Sequence, residues 1–334
     1  MKNVIFNPQL KFLRNHWPKI NDWLNSGDTN PVLIEISPTN YCNASCPWCF
    51  YIYEHCDHKN NSKKVHIENI VMKKNLADIA KIGTKAISWT GGGEPTLHPN
   101  FNEFVKLAHE SGLSQGVFTN ALDYELNKIE NPELLDWIRV SITNKGVEGI
   151  SKKLIDFYKS KAPKTTIGAC LSITKNMYDD LERMAEEVKS LGFDYFQIRP
   201  ALQRSYKDQE KLEIPTHLKK YETDDFNIFL SEYKFEESVK PIEYKKCLGH
   251  FFSPAINYNG DVMTCMYWLH NPDYTFGNIN ENLFSDIWQS EQRGRIKNND
   301  FVCDGCQTCC KNHEINKTLY YLNNPKKDIH PNFF

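Results

Sequence analysis

From Pro31 to about Pro200 the chain alternates between short runs rich in β-branched and aromatic residues and longer amphipathic stretches. Runs of the first kind predict strands, and the 3.6-residue periodicity of the second kind predicts helices. The predicted strands are 32–37, 85–90, 114–119, 138–143, 166–173 and 195–199. Six strand-then-helix units in succession predict a parallel sheet with helices on one side, either an open barrel or a doubly wound sheet.

Within the predicted strands, alternate residues differ in polarity. In strand 32–37, Ile34 and Ile36 fall on one face, and Glu35 and Ser37 fall on the other. Other strands repeat this pattern, with a polar set that contains Ser88, Thr90, Cys170, Ser172, Gln197 and Arg199. A parallel sheet that is packed on both faces should be apolar on both. The polar face therefore predicts a cavity for a polar ligand, and exposure of that face to solvent is the alternative.

Composition narrows the class of protein. The chain has 334 residues, of which 40% are apolar, enough for one large domain or for a large and a small one. Its formal charge of −2 disfavours both a nucleic-acid partner and a membrane surface. We find no apolar run of signal-peptide length at the N-terminus and no stretch that could span a bilayer, so we expect a soluble cytoplasmic protein.

The eleven cysteines fall into two groups. The first contains Cys42, Cys46 and Cys49, and the second contains Cys247, Cys265, Cys303, Cys306, Cys309 and Cys310. Only Cys56 and Cys170 stand outside the groups. Clustered cysteines in a reducing compartment are typical of metal ligands or redox groups, so the chain is expected to have two metal sites in two structural units.

The first group has the spacing C-x3-C-x2-C and follows strand 32–37, at the sheet edge where α/β folds place their chemistry. A structural zinc site would need a fourth ligand, and His55, Cys56 and His58 follow closely. An iron–sulfur cluster with three thiolates instead leaves one iron with an open coordination position. Spacing alone leaves both alternatives open.

A glycine-rich segment, "WTGGGEPTLHPNF" (89–101), follows the second predicted strand and opens a helix. Its three glycines permit a tight turn and a close approach of the backbone to a ligand. The segment lacks the Gly-Lys-Ser/Thr ending of a phosphate-binding loop. A plain strand-to-helix turn is the alternative to a ligand-binding loop.

Together these two motifs resemble the signatures of radical S-adenosylmethionine (radical SAM) enzymes: a C-x3-C-x-aromatic-C motif, here with Trp48, and a Gly-Gly-Glu motif. The resemblance implies that Cys42, Cys46 and Cys49 bind a [4Fe–4S] cluster whose open iron chelates S-adenosylmethionine. It assigns Gly92, Gly93 and Glu94 to the methionine ammonium, so Cys56 is expected not to be a ligand. Reduction of the cluster by a flavodoxin- or ferredoxin-type partner would cleave the cofactor to a 5′-deoxyadenosyl radical, which abstracts a hydrogen atom from the substrate.

Three further positions lie where members of this family bind the ribose and carboxylate of the cofactor. They are Asn120, Ser141 and Arg199, at or near the ends of the third, fourth and sixth predicted strands. Each of them alone would be an ordinary polar residue of a strand end.

Cys247 and Cys265 have the arrangement C-x12-G-x4-C, with Gly260 in a predicted hairpin turn. This resembles the start of the SPASM/Twitch extension of radical SAM enzymes. The resemblance implies an auxiliary [4Fe–4S] cluster on Cys247, Cys265, Cys303 and Cys306. The chain continues C-x2-C-x2-C-C, which departs from the full SPASM pattern. Either Cys309 or Cys310 could therefore replace one of the four or hold a second, incomplete cluster, and a zinc knuckle over 303–310 is the alternative.

The expected fold class is therefore α/β, a partial (β/α)6 TIM-like barrel with a small C-terminal iron–sulfur domain of Twitch/SPASM type. The predicted divisions are an N-terminal extension over 1–30, the barrel over 31–235 and the auxiliary domain over 236–334. About thirty residues before the first strand are too few for a peptide-recognition domain.

The polar cavity and the small Twitch-like tail favour a small polar substrate, a sugar, aminocyclitol or nucleoside, which undergoes oxidation or epimerisation. Cys170, the cysteine on the polar face, is the candidate hydrogen-atom donor for epimerisation, although a lone buried cysteine is usually a small core residue. A maturase that modifies a ribosomally made peptide is the alternative enzyme. A zinc-stabilised binding module is the non-enzymatic alternative.

Overall fold

The computed structural model describes residues 8–44, 46, 49, 64–143, 146–203, 205–269, 271–298, 306 and 309–323. Within these residues ten strands form one sheet in the order β10-β9-β8-β1-β2-β3-β4-β5-β6-β7. The strands are β1 (Leu33–Ile36), β2 (Ala86–Trp89), β3 (Ser114–Thr119), β4 (Trp137–Ile142), β5 (Thr166–Ile173), β6 (Tyr195–Pro200), β7 (Asn227–Leu230), β8 (Ala255–Ile256), β9 (Asp261–Met263) and β10 (Thr275–Asn278).

Strands β1 to β7 are parallel, which confirms the α/β class and the six strands predicted from the sequence. A further parallel strand, β7, joins the sheet beside β6. This strand lies in the charged segment 206–246, where four residues are too few to produce a recognisable alternation.

The helices of the described residues are α1 (Pro8–Ser26), α2 (Asn69–Lys81), α3 (Phe101–Glu110), α4 (Lys152–Lys161), α5 (Leu181–Ser190), α6 (Glu232–Glu237), α7 (Phe284–Trp288), α8 (Glu291–Asn298) and α9 (His313–Asn323). Helix α1 is absent from the sequence prediction, since it contains Pro18 and kinks at His16. None of the helices in the described part of the chain is long and apolar enough to cross a membrane.

The two faces of the sheet differ as the alternation predicts. The outer face is fully buried in the main core and includes Ile34, Ile36, Ile87, Trp89, Val117, Ile138, Val140, Leu171, Phe196 and Ile198. On the opposite, inner face the strand register aligns polar side chains in rows. One row runs from Ser141 through Cys170 to Gln197, and the next pairs Ser172 with Arg199.

The C-terminal strands extend the same sheet on the other side of β1. Strand β8 is parallel to β1, with Glu35 opposite Ala255 and Ile36 opposite Ile256. Strands β8 and β9 form the predicted antiparallel hairpin, in which Gly260 has a φ of +91°. Both cysteine groups are therefore connected to β1, one through the loop that follows it and one through the strand beside it.

Candidate functional site

The loop that follows β1 brings the three cysteines of the first group together. The Cys49 amide donates to the carbonyl oxygen of Cys46 at 3.1 Å, and the Ala44 amide donates to the Cys42 sulfur at 3.4 Å. Burial is the main reason that the pKa of the Cys42 thiol is raised to about 12, and the nearby Glu94, Cys46 and Cys49 contribute to the increase. Three thiols thus share one partly buried volume in which thiolates need a compensating cation.

This donor set fits an iron–sulfur cluster, because it offers sulfur ligands alone and its thiolates would be stabilised by iron. The additional ligands of the zinc alternative, His55, Cys56 and His58, lie outside the described residues, as does Trp48. In the described residues no group of three or more His, Cys, Asp or Glu side chains is arranged to hold a single metal ion.

The glycine-rich segment packs directly against the lead-in to the cysteine loop. A Cβ atom at Gly91 would lie 1.9 Å from the Ser37 hydroxyl oxygen, and the φ of Gly91 is +139°. The Gly92 amide donates to the same hydroxyl at 3.0 Å. A side chain at Gly91 is therefore excluded both by the backbone conformation and by contact with the residue that follows β1.

Gly93 makes a second close contact with the same loop. A Cβ atom there would lie 2.5 Å from the carbonyl oxygens of Thr39 and Tyr41. The next residue, Glu94, donates its amide to the Tyr41 carbonyl at 2.8 Å. The two loops are thus joined backbone to backbone immediately before Cys42, as a shared ligand site requires.

The Glu94 side chain points into the protein and is only 3% exposed. One carboxylate oxygen accepts the Asn120 amide at 2.7 Å. The other accepts the Thr96 hydroxyl at 2.8 Å and the Thr96 amide at 3.3 Å. Both oxygens are occupied within the protein, so the part of Glu94 that contacts the cysteine loop is its backbone.

A ring of hydrogen bonds connects Glu94 with the cysteine loop. The Asn120 side chain donates to Asn43 at 2.7 Å and lies 3.8 Å from the Cys42 sulfur. Asn43 donates to Asn127 at 3.3 Å, Asn127 donates to Thr96 at 2.9 Å, and Thr96 donates to Glu94. Of these residues Asn43, Thr96 and Asn127 escaped sequence reasoning, because the hydrogen bonds of Asn43 and Asn127 join positions that are distant in the chain. The position of Asn43 between two cysteines of the motif was the available signal.

The neutral side chain of His98 stabilises the turn between the glycine-rich segment and α3. Its Nδ1 accepts the Asn100 amide at 3.0 Å, so its Nε2–H donates to the Ile67 carbonyl at 2.8 Å. Burial is the main reason that the pKa of His98 is lowered to about 4. The unfolded chain, by contrast, takes up this proton near pH 6.5.

We therefore expect acid to destabilise the protein through His98. Below about pH 6.5 the unfolded state binds more protons, so this residue lowers the free energy of unfolding by about 1.4 kcal/mol per pH unit down to about pH 4. Denaturant unfolding of His98→Gln between pH 7.5 and 5.5 should show a correspondingly smaller pH dependence. The matched control is His109→Gln, an exposed histidine of α3, which should leave the dependence unchanged. Equal slopes for His98→Gln and the wild type would contradict the assignment.

The candidate residues of the later strands lie on the inner face. Ser141 is exposed, Cys170 is 5% exposed, and the two are register partners on β4 and β5. Arg199 is half-buried and donates its Nε–H to the Ser172 hydroxyl at 3.1 Å. The structure thus groups Ser141, Cys170 and Arg199 on the one face where sequence alternation placed Cys170 and Arg199.

Arg139 is an inner-face residue that sequence analysis missed. Its Nε–H donates to the Tyr195 hydroxyl at 2.9 Å. Its guanidinium carbon lies 5.2, 5.1 and 5.7 Å from the ring centroids of Phe118, Trp137 and Tyr195, within the range of cation–π attraction. No carboxylate of the described residues forms an ion pair with it.

Two glycines provide the space for this aromatic cluster. A Cβ atom at Gly116 would lie 1.8 Å from the Trp137 ring, and one at Gly168 would lie 1.9 Å from the Tyr195 ring. The inner face therefore combines flat aromatic surface with a cation, a combination suited to a substrate that is partly apolar and carries an anionic group.

The second cysteine group lies beside β8 and α9. The Cys247 sulfur accepts a hydrogen bond from the Asn316 amide group at 3.6 Å. Burial raises the pKa of both the Cys247 and the Cys265 thiol, and neighbouring thiols contribute to the increase, Cys306 for Cys247 and Cys247 and Cys310 for Cys265. Cys303, a ligand in the set implied by the Twitch resemblance, lies outside the described residues.

Two family models match the chain, one around each cysteine group. Residues 36–201 match the radical SAM superfamily, and residues 247–310 match the iron–sulfur cluster-binding SPASM domain. The chain is 23% identical over 318 residues to the tungsten-containing aldehyde ferredoxin oxidoreductase cofactor-modifying protein of Pyrococcus furiosus, which covers 81% of this chain and 85% of the relative.

Two further relatives span most of the chain. The PqqA peptide cyclase of Ruegeria pomeroyi is 20% identical over 308 residues, which cover 84% of this chain and 79% of the relative. The crystal structure of Streptococcus suis SuiB bound to its precursor peptide SuiA has a TM-score of 0.60 at 18% identity, covers 89% of this chain and 74% of SuiB, and confirms the fold. The chain belongs to the radical SAM superfamily, and its cofactors are S-adenosylmethionine, the [4Fe–4S] cluster that binds it, and an auxiliary iron–sulfur cluster of a C-terminal SPASM domain.

Proposed function

We propose that the protein is a radical SAM maturase that modifies a ribosomally made peptide. The observation that carries this proposal is the similarity, over 84% of the chain, to a protein named as a peptide cyclase. A fold shared with peptide-bound SuiB is compatible with it. The small polar substrate expected from the sequence is not confirmed, and the short N-terminal segment on which that expectation rested does not exclude a recognition domain on a separate protein.

In this proposal Cys42, Cys46 and Cys49 bind the first cluster, and the backbone of Gly92, Gly93 and Glu94 faces the methionine end of S-adenosylmethionine. When bound, cluster and cofactor supply a one-electron reductive cleavage that yields methionine and a 5′-deoxyadenosyl radical able to take a hydrogen atom from the substrate. Catalysis then depends on how rigidly the protein positions the reacting groups.

The described residues account for that positioning. The hydrogen-bond ring from Asn120 to Glu94 fixes the cysteine loop relative to the glycine-rich segment. Asn120, Ser141 and Arg199 are the proposed polar contacts of the cofactor. Further into the inner face, the Arg139 guanidinium and the rings around it offer a surface for a substrate side chain.

The net reaction that we propose is an oxidation or an epimerisation. In an oxidation the substrate radical would lose a proton to a base or to water and a second electron, which the auxiliary cluster of the second cysteine group would accept when bound. In an epimerisation the radical instead receives a hydrogen atom from a thiol on the opposite face. Cys170 is the proposed donor, because it is the buried cysteine in the middle of the inner face.

The proposal is tested by co-expression of the full chain with each short open reading frame next to its gene, followed by mass spectrometry of the peptides. We expect one peptide to lose two hydrogen atoms, or to acquire one deuterium in D2O. The change should be absent with the Cys42→Ala/Cys46→Ala/Cys49→Ala variant. Turnover of S-adenosylmethionine stimulated by a sugar, aminocyclitol or nucleoside, with no peptide modified, would overturn it.

A further inference from the structure

We infer that the inner face of the sheet contains a carboxylate-binding site centred on the guanidinium of Arg139. Its occupant is a carboxylate of the peptide substrate, either an Asp or Glu side chain or the C-terminus. The site itself follows from the described residues, whereas its occupation by a peptide rests on the proposed function.

The guanidinium of Arg139 has donors that the protein does not use. Its Nε–H donates to the Tyr195 hydroxyl at 2.9 Å. Among the described residues, no acceptor lies within hydrogen-bond distance of Nη1 or Nη2. Neither Nη atom is sealed off in the protein, as the unpaired Nε of Arg293 is, because Arg139 is only half-buried. The four N–H groups on the two Nη atoms are therefore accessible to a ligand.

A second arginine of the chain shows how such a group is neutralised. Arg293 also lies on an aromatic ring, with its guanidinium carbon 3.7 Å from the Trp288 centroid. Its Nη1 and Nη2 donate to the two carboxylate oxygens of Asp28 at 2.9 and 2.5 Å. Arg139 has the aromatic contacts but no such carboxylate in the described part of the chain. A bound carboxylate would complete the same bidentate arrangement.

The rings around Arg139 fix the position of its guanidinium. The guanidinium carbon lies 5.2, 5.1 and 5.7 Å from the centroids of Phe118, Trp137 and Tyr195. Phe118 and Trp137 meet edge to face, with centroids 5.1 Å apart. Rings on several sides displace water from the guanidinium and limit its movement. A hydrogen bond to a charged ligand is therefore stronger here than at an open surface.

The charge of the site favours a carboxylate over a phosphate. In the strand register Arg139 lies between Phe118 of β3 and Gly168 of β5, and Tyr195 follows on β6. This row from β3 to β6 contains no second cation, whereas phosphate sites usually combine several donors of positive charge or a helix N-terminus. A carboxylate has one charge and two oxygens, which match the two Nη atoms of one guanidinium.

The site lies one row away from Cys170. Arg139 is opposite Gly168, and Cys170 is two residues further along β5, so the two rows are about 6.6 Å apart. A substrate held by its carboxylate at Arg139 would present atoms a few bonds away to the proposed hydrogen-atom donor. The site therefore offers a means of selecting which residue of the peptide reacts.

Binding of phenylacetate tests the site without any activity assay. The holoprotein is kept free of reductant and saturated with S-adenosylmethionine, so that the cofactor site is occupied, and binding is followed by ligand-observed NMR. We expect phenylacetate to bind about 10- to 100-fold more tightly than the neutral phenylacetamide, as for a hydrogen bond between charged groups. Arg139→Gln should abolish this preference, and Arg139→Lys, which keeps the charge but loses the fork, should retain part of it. Arg183→Gln, an exposed arginine of α5, should leave it unchanged.

Three results would overturn the inference: no binding of phenylacetate to the wild type, equal binding of acid and amide, or an unchanged preference in Arg139→Gln. Iron content of about eight per chain and binding of S-adenosylmethionine show that a variant is folded. If Arg139→Gln lost its iron, the comparison of acid with amide on the wild type and on Arg139→Lys would still decide.

The peptide found by co-expression identifies the source of the carboxylate. Each of its Asp and Glu residues is changed to Asn or Gln, and in a further peptide the C-terminus is amidated. One of these changes should raise the KM of the wild type about 10- to 100-fold and leave that of Arg139→Gln unchanged, because both changes remove the same contact. A KM that none of them alters would overturn the occupation by a peptide carboxylate. Phenylacetate binding without any modified peptide would support the site and contradict the proposed function alone.

Discussion

Replacing Gly93 with alanine is expected to reduce the cleavage of S-adenosylmethionine about 100-fold, since a displacement of about 1 Å at a reacting centre has an effect of this size. The added Cβ atom would lie 2.5 Å from the carbonyl oxygens of Thr39 and Tyr41, which belong to the backbone and cannot rotate away. The loop that leads to Cys42 must therefore move. Formation of 5′-deoxyadenosine with excess reductant measures the effect.

Gly294→Ala is the matched control. This residue lies in α8, and an added Cβ atom there would have no neighbour within 4 Å. Alanine in a helix interior should stabilise the protein by roughly 0.5–1 kcal/mol and leave cleavage unchanged. If Gly93→Ala cleaved S-adenosylmethionine at the wild-type rate, the two loops would tolerate separation, contrary to the contact described above.

Glu94→Gln is expected to raise the KM for S-adenosylmethionine about tenfold, equivalent to about 1.4 kcal/mol. Each side chain of the ring donates a hydrogen bond to the next one. The last acceptor is the Glu94 carboxylate, which has no hydrogen to donate. A glutamine would direct an NH2 group at either the Asn120 amide or Thr96. One buried donor would then lack a partner, at a cost of about 1–3 kcal/mol.

The measurement must separate an effect on the positioning of S-adenosylmethionine from a general loss of folding or of the cluster. Glu110→Gln, an exposed change of the same type at the end of α3, should alter neither KM nor the free energy of unfolding. For Glu94→Gln we expect KM to change more than kcat and the iron content to stay at about eight per chain. A reduced iron content with an unchanged KM would mean that Glu94 supports the cluster loop alone.

The strands and their two faces could be predicted because alternation is a local property. The face on which the side chains of Ser141 and Cys170 lie follows from the alternation within each strand. The parallel register then makes the two residues neighbours. Helix α1 and strand β7 could not be predicted in this way. A proline and a kink interrupt the periodicity of α1, and the burial of its Phe12 depends on Phe252, more than two hundred residues away.

Within the site, the motifs predicted which backbone segments meet, but the contacts that hold them needed the structure. Asn43 and Asn127 are 84 residues apart, and nothing in the local sequence of either indicates their hydrogen bond. The same limit applies to the second cysteine group. Spacing left Cys309 and Cys310 equivalent, whereas in the structure Cys309 has a φ of +56° and its sulfur lies 3.8 Å from the Tyr233 carbonyl oxygen.

The pairing of β1 with β8 has a consequence for synthesis on the ribosome. Until residues 255 and 256 emerge, β1 is an edge strand, and its amides at Glu35 and Ser37 lack the carbonyl partners Pro254 and Ile256. An apolar strand with a free edge is prone to aggregation. Truncation before residue 255 would therefore recreate this nascent state permanently, so the barrel cannot be expected to remain soluble as an independent fragment once the auxiliary domain is deleted.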